Sequence, residues 1–321
     1  MRNTKNILNI AKSTILEESK SIANLANLLD INFSKTVNVI LNSKGRVIVT
    51  GIGKSANIAT KIVATFNSTG TPAIFMHAAD AIHGDLGIVQ KDDVVICISK
   101  SGNTPEIKYL LPLIKANGNK IVAITGNMDS TLGTQADFCL NTFVAKEACP
   151  NNLAPTNSTT AQLVMGDALA VCLLELKDFK SKDFAKFHPG GALGKKLYLR
   201  VNDLINKNEI PKVNLNANIK DVIIEISKKR LGATAVLKNN KIIGIITDGD
   251  IRRMLNNNND ISAIVAKDFM TKKPKTIAPN TMATKAFQIM NDNSITQLLV
   301  EHKGNYLGVV HLHDLLKEGI Y

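Results

Sequence analysis

Between residues 46 and 141, short apolar runs alternate with longer helical patterns. RVIVTG is followed by KSANIATKIVATF, AIFM by ADAIHGDLG, DVVICIS by TPEIKYLLPLIKANG and KIVAITG by STLGTQA, before a last run, DFCLNT. The runs are apolar throughout rather than at every second residue, so both sides of each strand must be buried. That requirement predicts an α/β core: a parallel sheet flanked by helices on both faces, with right-handed crossovers. Such a sheet takes ligands beyond the carboxyl ends of its strands. At those ends the chain reads TGIGKS, MHAADAIHGD, ISKSGNT and TGNMDS, which are hydroxyl-rich and suited to an anion. The first 43 residues read as helices packed outside this core.

The turn GIGKS invites two nucleotide readings, and both fail. A phosphate-binding loop of the nucleoside triphosphatases needs a glycine five positions before Gly53, where Ile48 stands, and a dinucleotide fingerprint needs a carboxylate in the stretch FNSTGTPAIF, which has none. The net charge of +12 is compatible with nucleic acid or with an anionic metabolite. Basic clusters such as KKR (228–230) and KKPK (272–275) lack interleaved aromatics, and the chain has no tryptophan, so the charge reads as solvated surface with no nucleic-acid partner. Cys97, Cys139, Cys149 and Cys172 are too dispersed for a disulfide framework or a zinc knuckle. No uninterrupted apolar run reaches the ~18 to 20 residues of a membrane span, and the polar N-terminus is unlike a signal peptide, so a cytoplasmic protein with no membrane partner is expected.

Beyond LRVNDLINKNEIPKV the rhythm changes to an internal repeat offset by 64 residues. GATAVLKNNKIIGIITDGDIRRML aligns without a gap to TQLLVEHKGNYLGVVHLHDLLKEG, each preceded by an amphipathic helix, IKDVIIEISKKR or MATKAFQIMNDN. This resembles a tandem pair of cystathionine β-synthase (CBS) domains, which implies a nucleotide or sugar-nucleotide ligand. The family's Ser/Thr-x-x-Asp pattern survives as Thr247 and Asp250, whereas the second copy has His311 before Asp314. A purely structural or oligomerising pair is at least as good a reading.

In the first part, Ser99, Ser101 and Thr104 lie where a strand gives way to a helix, so their hydroxyls and the backbone N–H groups there can accept one phosphomonoester. Each alone is more often a cap or turn residue. The motifs GIGKS, ISKSGNT and TNSTTAQLVMGDALA resemble the sugar isomerase (SIS) domain. With HAADAIHGDLG, VAKEACPNNLAPTNSTT and HPGGALGKK, and the repeat behind them, the whole chain resembles the arabinose 5-phosphate isomerase family. The resemblance implies a SIS domain at 1–200, CBS domains at 201–262 and 263–321, and a homotetramer. It implies catalytic relevance for Lys54, Glu106, Glu147 and His188. It further implies contacts of a pentose 5-phosphate with Gly70, Thr71, His77, His83, Ser99, Ser101 and Thr104. Lys100, where a small polar residue is expected, and HAAD at 77–80 depart from the family pattern.

Moving a proton between C1 and C2 of a sugar needs a carboxylate base with its pKa raised towards ~6 to 7. Glu147 is the first choice and Glu106 the reserve. Glu106 also suits the first turn of a helix for electrostatic reasons, and Glu147 could simply pair with Lys146. The chemistry requires no cofactor. Zinc at His77 is a further reading, although two histidines, His77 and His83, make a poor metal site without a third ligand. The competing functions are a non-catalytic sugar-phosphate sensor and an isomerase of another sugar phosphate.

Overall fold

A computed structural model describes residues 4–205, 210–257 and 260–321, which form two compact units, Met1–Phe187 and His188–Tyr321. In the first unit, helices α1 (Thr4–Leu28) and α2 (Ile31–Asn42) lead into β1 (Val47–Gly51), α3 (Lys54–Ser68), β2 (Ala73–His77) and the short α4 (Ala78–Ala81). Then come β3 (Val94–Ile98), α5 (Pro105–Ala116), β4 (Lys120–Thr125), α6 (Thr131–Gln135), β5 (Phe138–Asn141), α7 (Asn157–Leu176) and α8 (Ser181–Phe187). The five strands form one sheet in the order β2-β1-β3-β4-β5, and every pairing is parallel.

Successive strand residues feed opposite faces of this sheet, as the strand repeat of two demands. Val47, Val49, Val94, Ile96, Ile98, Val122 and Ile124 pack on α3 and α7 through Ile62, Phe66, Met165 and Leu169. Ile48, Val95, Cys97, Ile121 and Ala123 pack on α5 through Ile107, Leu110, Leu111 and Ile114. The leading helices are more than an outer layer, because Leu25 of α1 and Val37 and Ile40 of α2 belong to the first of these cores.

Helix α7 corrects one expectation from sequence: by length and composition it is the one described helix that could cross a membrane. In this fold it is a core helix. It buries Asn157, Ser158 and Gln162 together with Met165 and Leu169, and its Asp167 pairs with Lys61 of α3 at 2.5 Å. Gly166 lets α3 approach closely, since a Cβ there would run into the side chain of Ile62.

The second unit begins with α9 (Ala192–Tyr198) and α10 (Val201–Leu204). The first repeat copy follows as β6 (Lys212–Asn214), α11 (Ile219–Lys229), β7 (Ala233–Lys238), β8 (Lys241–Thr247) and α12 (Asp248–Asn257). After α13 (Ala266–Phe269) and β9 (Thr271–Lys272), the second copy runs through β10 (Thr276–Ile277), α14 (Ala283–Asp292), β11 (Gln297–His302), β12 (Asn305–His311) and α15 (Leu312–Lys317). The two hairpins, β7 with β8 and β11 with β12, start and end 64 residues apart, and both carry a bulge at the equivalent step.

The copies exchange their leading segments. The Val201 N–H donates to Thr281 O and that of Asn202 to Pro279 O, both at 2.9 Å, while the Ala266 N–H donates to Ala217 O and that of Lys267 to Leu215 O, at 2.8 and 3.0 Å. Val201 and Ile205 thus join the core of the second copy, and Ala266, Phe269 and Met270 join that of the first. Residues 266–272 thus complete the core and sheet of the first copy. As compact units, residues 188–200 group with the second unit rather than the first. The reason is local: Lys195 pairs with Glu318 at 2.6 Å, and Leu199 O accepts from the Ala283 N–H at 2.8 Å.

Candidate active site

The strand order reverses between β1, which is followed by its neighbour β2 on one side, and β3 on the other. A crevice must open there at the carboxyl ends of the strands. The loops Gly51–Gly53 and Ser99–Thr104 leave β1 and β3 at that point and enter α3 and α5. They border a cleft of about 460 Å³ whose walls include Lys54, Ser55, Ser99, Lys100, Thr104 and Ser158. Gly53 has φ +55°, a conformation that favours glycine, and it delivers Lys54 as the first residue of α3. An adjoining cleft of about 480 Å³ brings Lys54 together with Phe75 and His77. A larger hollow of about 800 Å³, near Lys44, Lys91 and Lys120, opens at the opposite end of the strands, away from the crevice that this topology creates.

Backbone and hydroxyl groups shape the Ser99–Thr104 loop. Ser99 is buried, its Oγ lies 2.7 Å from Thr104 Oγ1, and it accepts the Gly102 N–H at 3.1 Å. Ser101 Oγ accepts the Asn103 N–H at 3.2 Å. Gly102 has φ +65°, and a Cβ there would run into Ser130 and Thr125. The loop is thereby pressed against the β4–α6 turn, so its donors stand preformed at the start of α5.

Glu147 lies in the segment between β5 and α7, and its side chain is fully buried. Its Oε1 accepts from Lys100 Nζ at 2.6 Å and from Ser158 Oγ at 2.5 Å. Its Oε2 accepts from the N–H of Thr156 at 2.8 Å and of Ser158 at 3.1 Å, and from Thr156 Oγ1 at 3.2 Å. Burial pushes this carboxyl upward, but the Lys100 ammonium, the Ser158 hydroxyl and the two backbone donors together outweigh it and hold the pKa at about 2. The expectation of a carboxylate raised towards neutrality therefore does not hold for Glu147, whose lone pairs are already engaged. Its partner is Lys100 rather than Lys146, which pairs with Glu17 at 3.1 Å.

The other residues singled out from sequence divide. Glu106 sits in the first turn of α5, two residues beyond Thr104, and is half-buried. His77 ends β2 beside Lys54; its Nδ1 stands 3.6 Å from Asp80 Oδ2. No group of three or more His, Cys, Asp or Glu among the described residues is placed to hold a metal ion, so the residues around His77 do not fit a zinc site. His83 is exposed on the loop after α4. Gly70 and Thr71 precede β2, at the amino ends of the strands, and the first unit does not bring them to the cleft that Lys54 lines. Thr71 Oγ1 and Gly70 O accept from Lys177 Nζ at 2.8 and 3.0 Å, and a Cβ at Gly70 would meet Phe179. His188 opens the second unit, where its carbonyl accepts the Gly191 N–H at 3.0 Å. Sequence reasoning gave no role to Ser158 and Gln162, although both lie in the quoted TNSTTAQ stretch, and Gln162 Oε1 accepts from Ser55 Oγ at 3.2 Å.

In the second unit, Asp250 is buried and its carboxylate accepts from Thr247 Oγ1 at 2.7 Å, from Thr271 Oγ1 at 3.2 Å and from Arg253. A cleft of about 470 Å³ runs beside Asp250, Arg253 and Phe269. The second copy differs: His311 Nδ1 accepts the His313 N–H at 3.0 Å and caps α15.

Known families match both units. The SIS domain matches residues 40–172, which hold both loops of the cleft and Glu147, and the CBS domain matches 201–257 and 266–321. The chain is 49% identical over 315 residues to arabinose 5-phosphate isomerase KdsD of Francisella tularensis, covering 97% of this chain and 96% of that one. The chain belongs to the arabinose 5-phosphate isomerase family. A second member of the family, KdsD of Escherichia coli K12, is 44% identical over 311 residues, covering 96% and 95% of the two chains. The solved structure of c3406 from E. coli CFT073, in complex with arabinose 5-phosphate, is 41% identical, covers 58% of this chain and all of that one, and superposes with a TM-score of 0.57.

The Glu147 network has a measurable consequence in acid. A carboxyl with an ordinary pKa of 4.5 that is held at about 2 in the folded protein stabilises the fold fully above pH ~4.5 and loses that contribution as pH falls towards ~2. Urea midpoints measured between pH 6 and pH 3 should therefore fall more steeply for the parent than for Glu147→Gln. Parallel curves would show that Glu147 is not held as this geometry requires.

Proposed function

We propose that the protein interconverts D-ribulose 5-phosphate and D-arabinose 5-phosphate, supplying the arabinose 5-phosphate used for 3-deoxy-D-manno-octulosonate in lipopolysaccharide or capsule. The observation that carries this reading is near-full-length similarity to isomerases of that name, in a chain whose cleft at the sheet's reversal point is lined by hydroxyls and lysines. The phosphate is proposed to sit on the Ser99–Thr104 loop at the start of α5, where backbone N–H groups and hydroxyls converge.

Withdrawal of a C1 proton from the ketose yields a cis-enediolate across C1 and C2, and return of the proton to C2 yields the aldose. The hydrogen stays within the substrate's own redox balance, so the step calls for a base and an electrophile and for no electron carrier. Glu106 is the proposed base. Glu147 lacks a free lone pair, whereas Glu106 has no hydrogen-bond partner among the described residues. Lys54, a compact cation at the start of α3, is proposed to steady the enediolate oxygen, with His77 next to it as a hydroxyl contact. The family resemblance further implies catalytic relevance for His188, which opens the second unit.

The protein is further proposed to act in the cytoplasm as a homotetramer. Exposed apolar side chains along α1, among them Ile7, Leu8, Ile15 and Leu16, each more than half exposed, support burial against further copies. Light scattering should give four times the chain mass of 34.7 kDa, and a monomer would refute the assembly. The Asp250 cleft is proposed to take a nucleotide or sugar nucleotide, with heat of binding from an adenosine phosphate expected in calorimetry and lost in Asp250→Ala. Heat that persists unchanged in that variant would move the ligand elsewhere.

Loss of a positioned general base costs on the order of 10² to 10⁴ in rate, so Glu106→Gln should lower kcat by that range with KM little changed. In deuterated water the parent should place deuterium at C2 of the arabinose 5-phosphate it forms. Turnover in Glu106→Gln within a few-fold of the parent would remove Glu106 as the base. A parent that leaves ribulose 5-phosphate untouched but converts another ketose phosphate would replace the substrate.

A further inference from the structure

Lys100 interrupts the small hydroxyl and glycine residues of ISKSGNT, and its side chain is 47% exposed. Lys100 is among the residues that line the 460 Å³ cleft, with Lys54, Ser55, Ser99 and Thr104. Its ammonium is not free to wander, because it donates to Glu147 Oε1 at 2.6 Å. Glu147 is itself pinned by the backbone N–H groups of Thr156 and Ser158 and by the Ser158 hydroxyl. A buried carboxylate thus anchors an exposed cation. An ammonium has three donors, and among the described residues Glu147 takes one, which leaves two for a ligand in the cleft.

We propose that Lys100 is a specificity-determining residue for the substrate's phosphate: positioned by Glu147, it stands with Lys54 as a second cation of the cleft and selects a dianionic phosphomonoester. The proposal rests on the sugar-phosphate reading given above and adds the residue that discriminates charge. Without Glu147 a flexible four-carbon stem would leave the ammonium in bulk water, where its attraction for an anion is weakest. Held at the wall, the ammonium makes charge-assisted hydrogen bonds to phosphate oxygens without first having to be ordered. Glu147 lies behind it and is not itself among the residues that line the cleft, so its own charge does not face the phosphate directly.

The test uses the full chain and inorganic phosphate as the probe. Losing one charge-assisted contact weakens binding by about ten- to a hundredfold, so Lys100→Met should weaken phosphate by that factor in calorimetry and raise KM for ribulose 5-phosphate comparably, with a smaller fall in kcat. Lys100→Arg should recover most of both, which a purely structural role for the methylene stem would not require. Because Lys100→Met leaves Glu147 with an unmatched charge, the double variant Lys100→Met/Glu147→Gln removes both charges and decides the matter where the single variant does not fold. A folded double variant that binds phosphate as tightly as the parent overturns the proposal while leaving the isomerase reading intact. A parent that neither binds phosphate nor isomerises ribulose 5-phosphate overturns both.

Discussion

The all-parallel sheet of the first unit can exist only with both faces out of water, and most of the remaining architecture follows from that. Ile48, Val95 and Ile121 on one face and Val49, Ile96 and Val122 on the other are fully buried, so helices must cover both sides. Parallel neighbours require crossovers, and crossovers place every strand end of one polarity on the same rim. Where the order β2-β1-β3 reverses, the helices diverge to opposite faces and leave the cleft. The site is a by-product of burying a sheet, and loop chemistry makes it specific.

Within that rim, one buried carboxylate fastens three separate pieces of chain. Glu147 ties the segment after β5 to the first turn of α7 through Thr156 and Ser158, and ties both to the β3–α5 loop through Lys100. A buried anion is tolerated only when its lone pairs are satisfied, and here five donors surround it. The same saturation that makes Glu147 a sound fastener leaves its carboxylate no oxygen without a donor. A carboxylate that holds geometry and a carboxylate that moves protons need opposite surroundings, and the network around Glu147 is of the first kind.

The second unit solves a different problem, which is how two short repeats share one core. Neither three nor four strands with one or two helices make a large core alone. Exchanging the segments around Val201 and Ala266 lets each copy complete its neighbour. The backbone bonds that do this recur at spacings of 64 and 65 residues, so the exchange obeys the same internal symmetry as the hairpins. The symmetry stops at the hydroxyl position of the Ser/Thr-x-x-Asp pattern, where Thr247 bonds Asp250 but His311 caps its own helix.

Strand runs, helix periodicity and the 64-residue repeat were legible from sequence, because burial patterns and repeats are properties of neighbouring residues along the chain. Strand ends rich in Ser, Thr, Gly and Lys marked the rim of the cleft, and Lys54, Ser99, Ser101 and Thr104 stand there. Contacts between distant segments were not legible. Nothing local in ISKSGNT or VAKEACP says that Lys100 meets Glu147, which lies 47 residues on, or that five donors will converge on one carboxylate and depress its pKa. The segment exchange was equally hidden, since VNDL and AKDF carry no mark of which core will bury them. Gly70 and Thr71 show the same limit: a turn's composition is visible in sequence, but which end of the sheet it occupies depends on strand direction, and that is decided only when the strands pair.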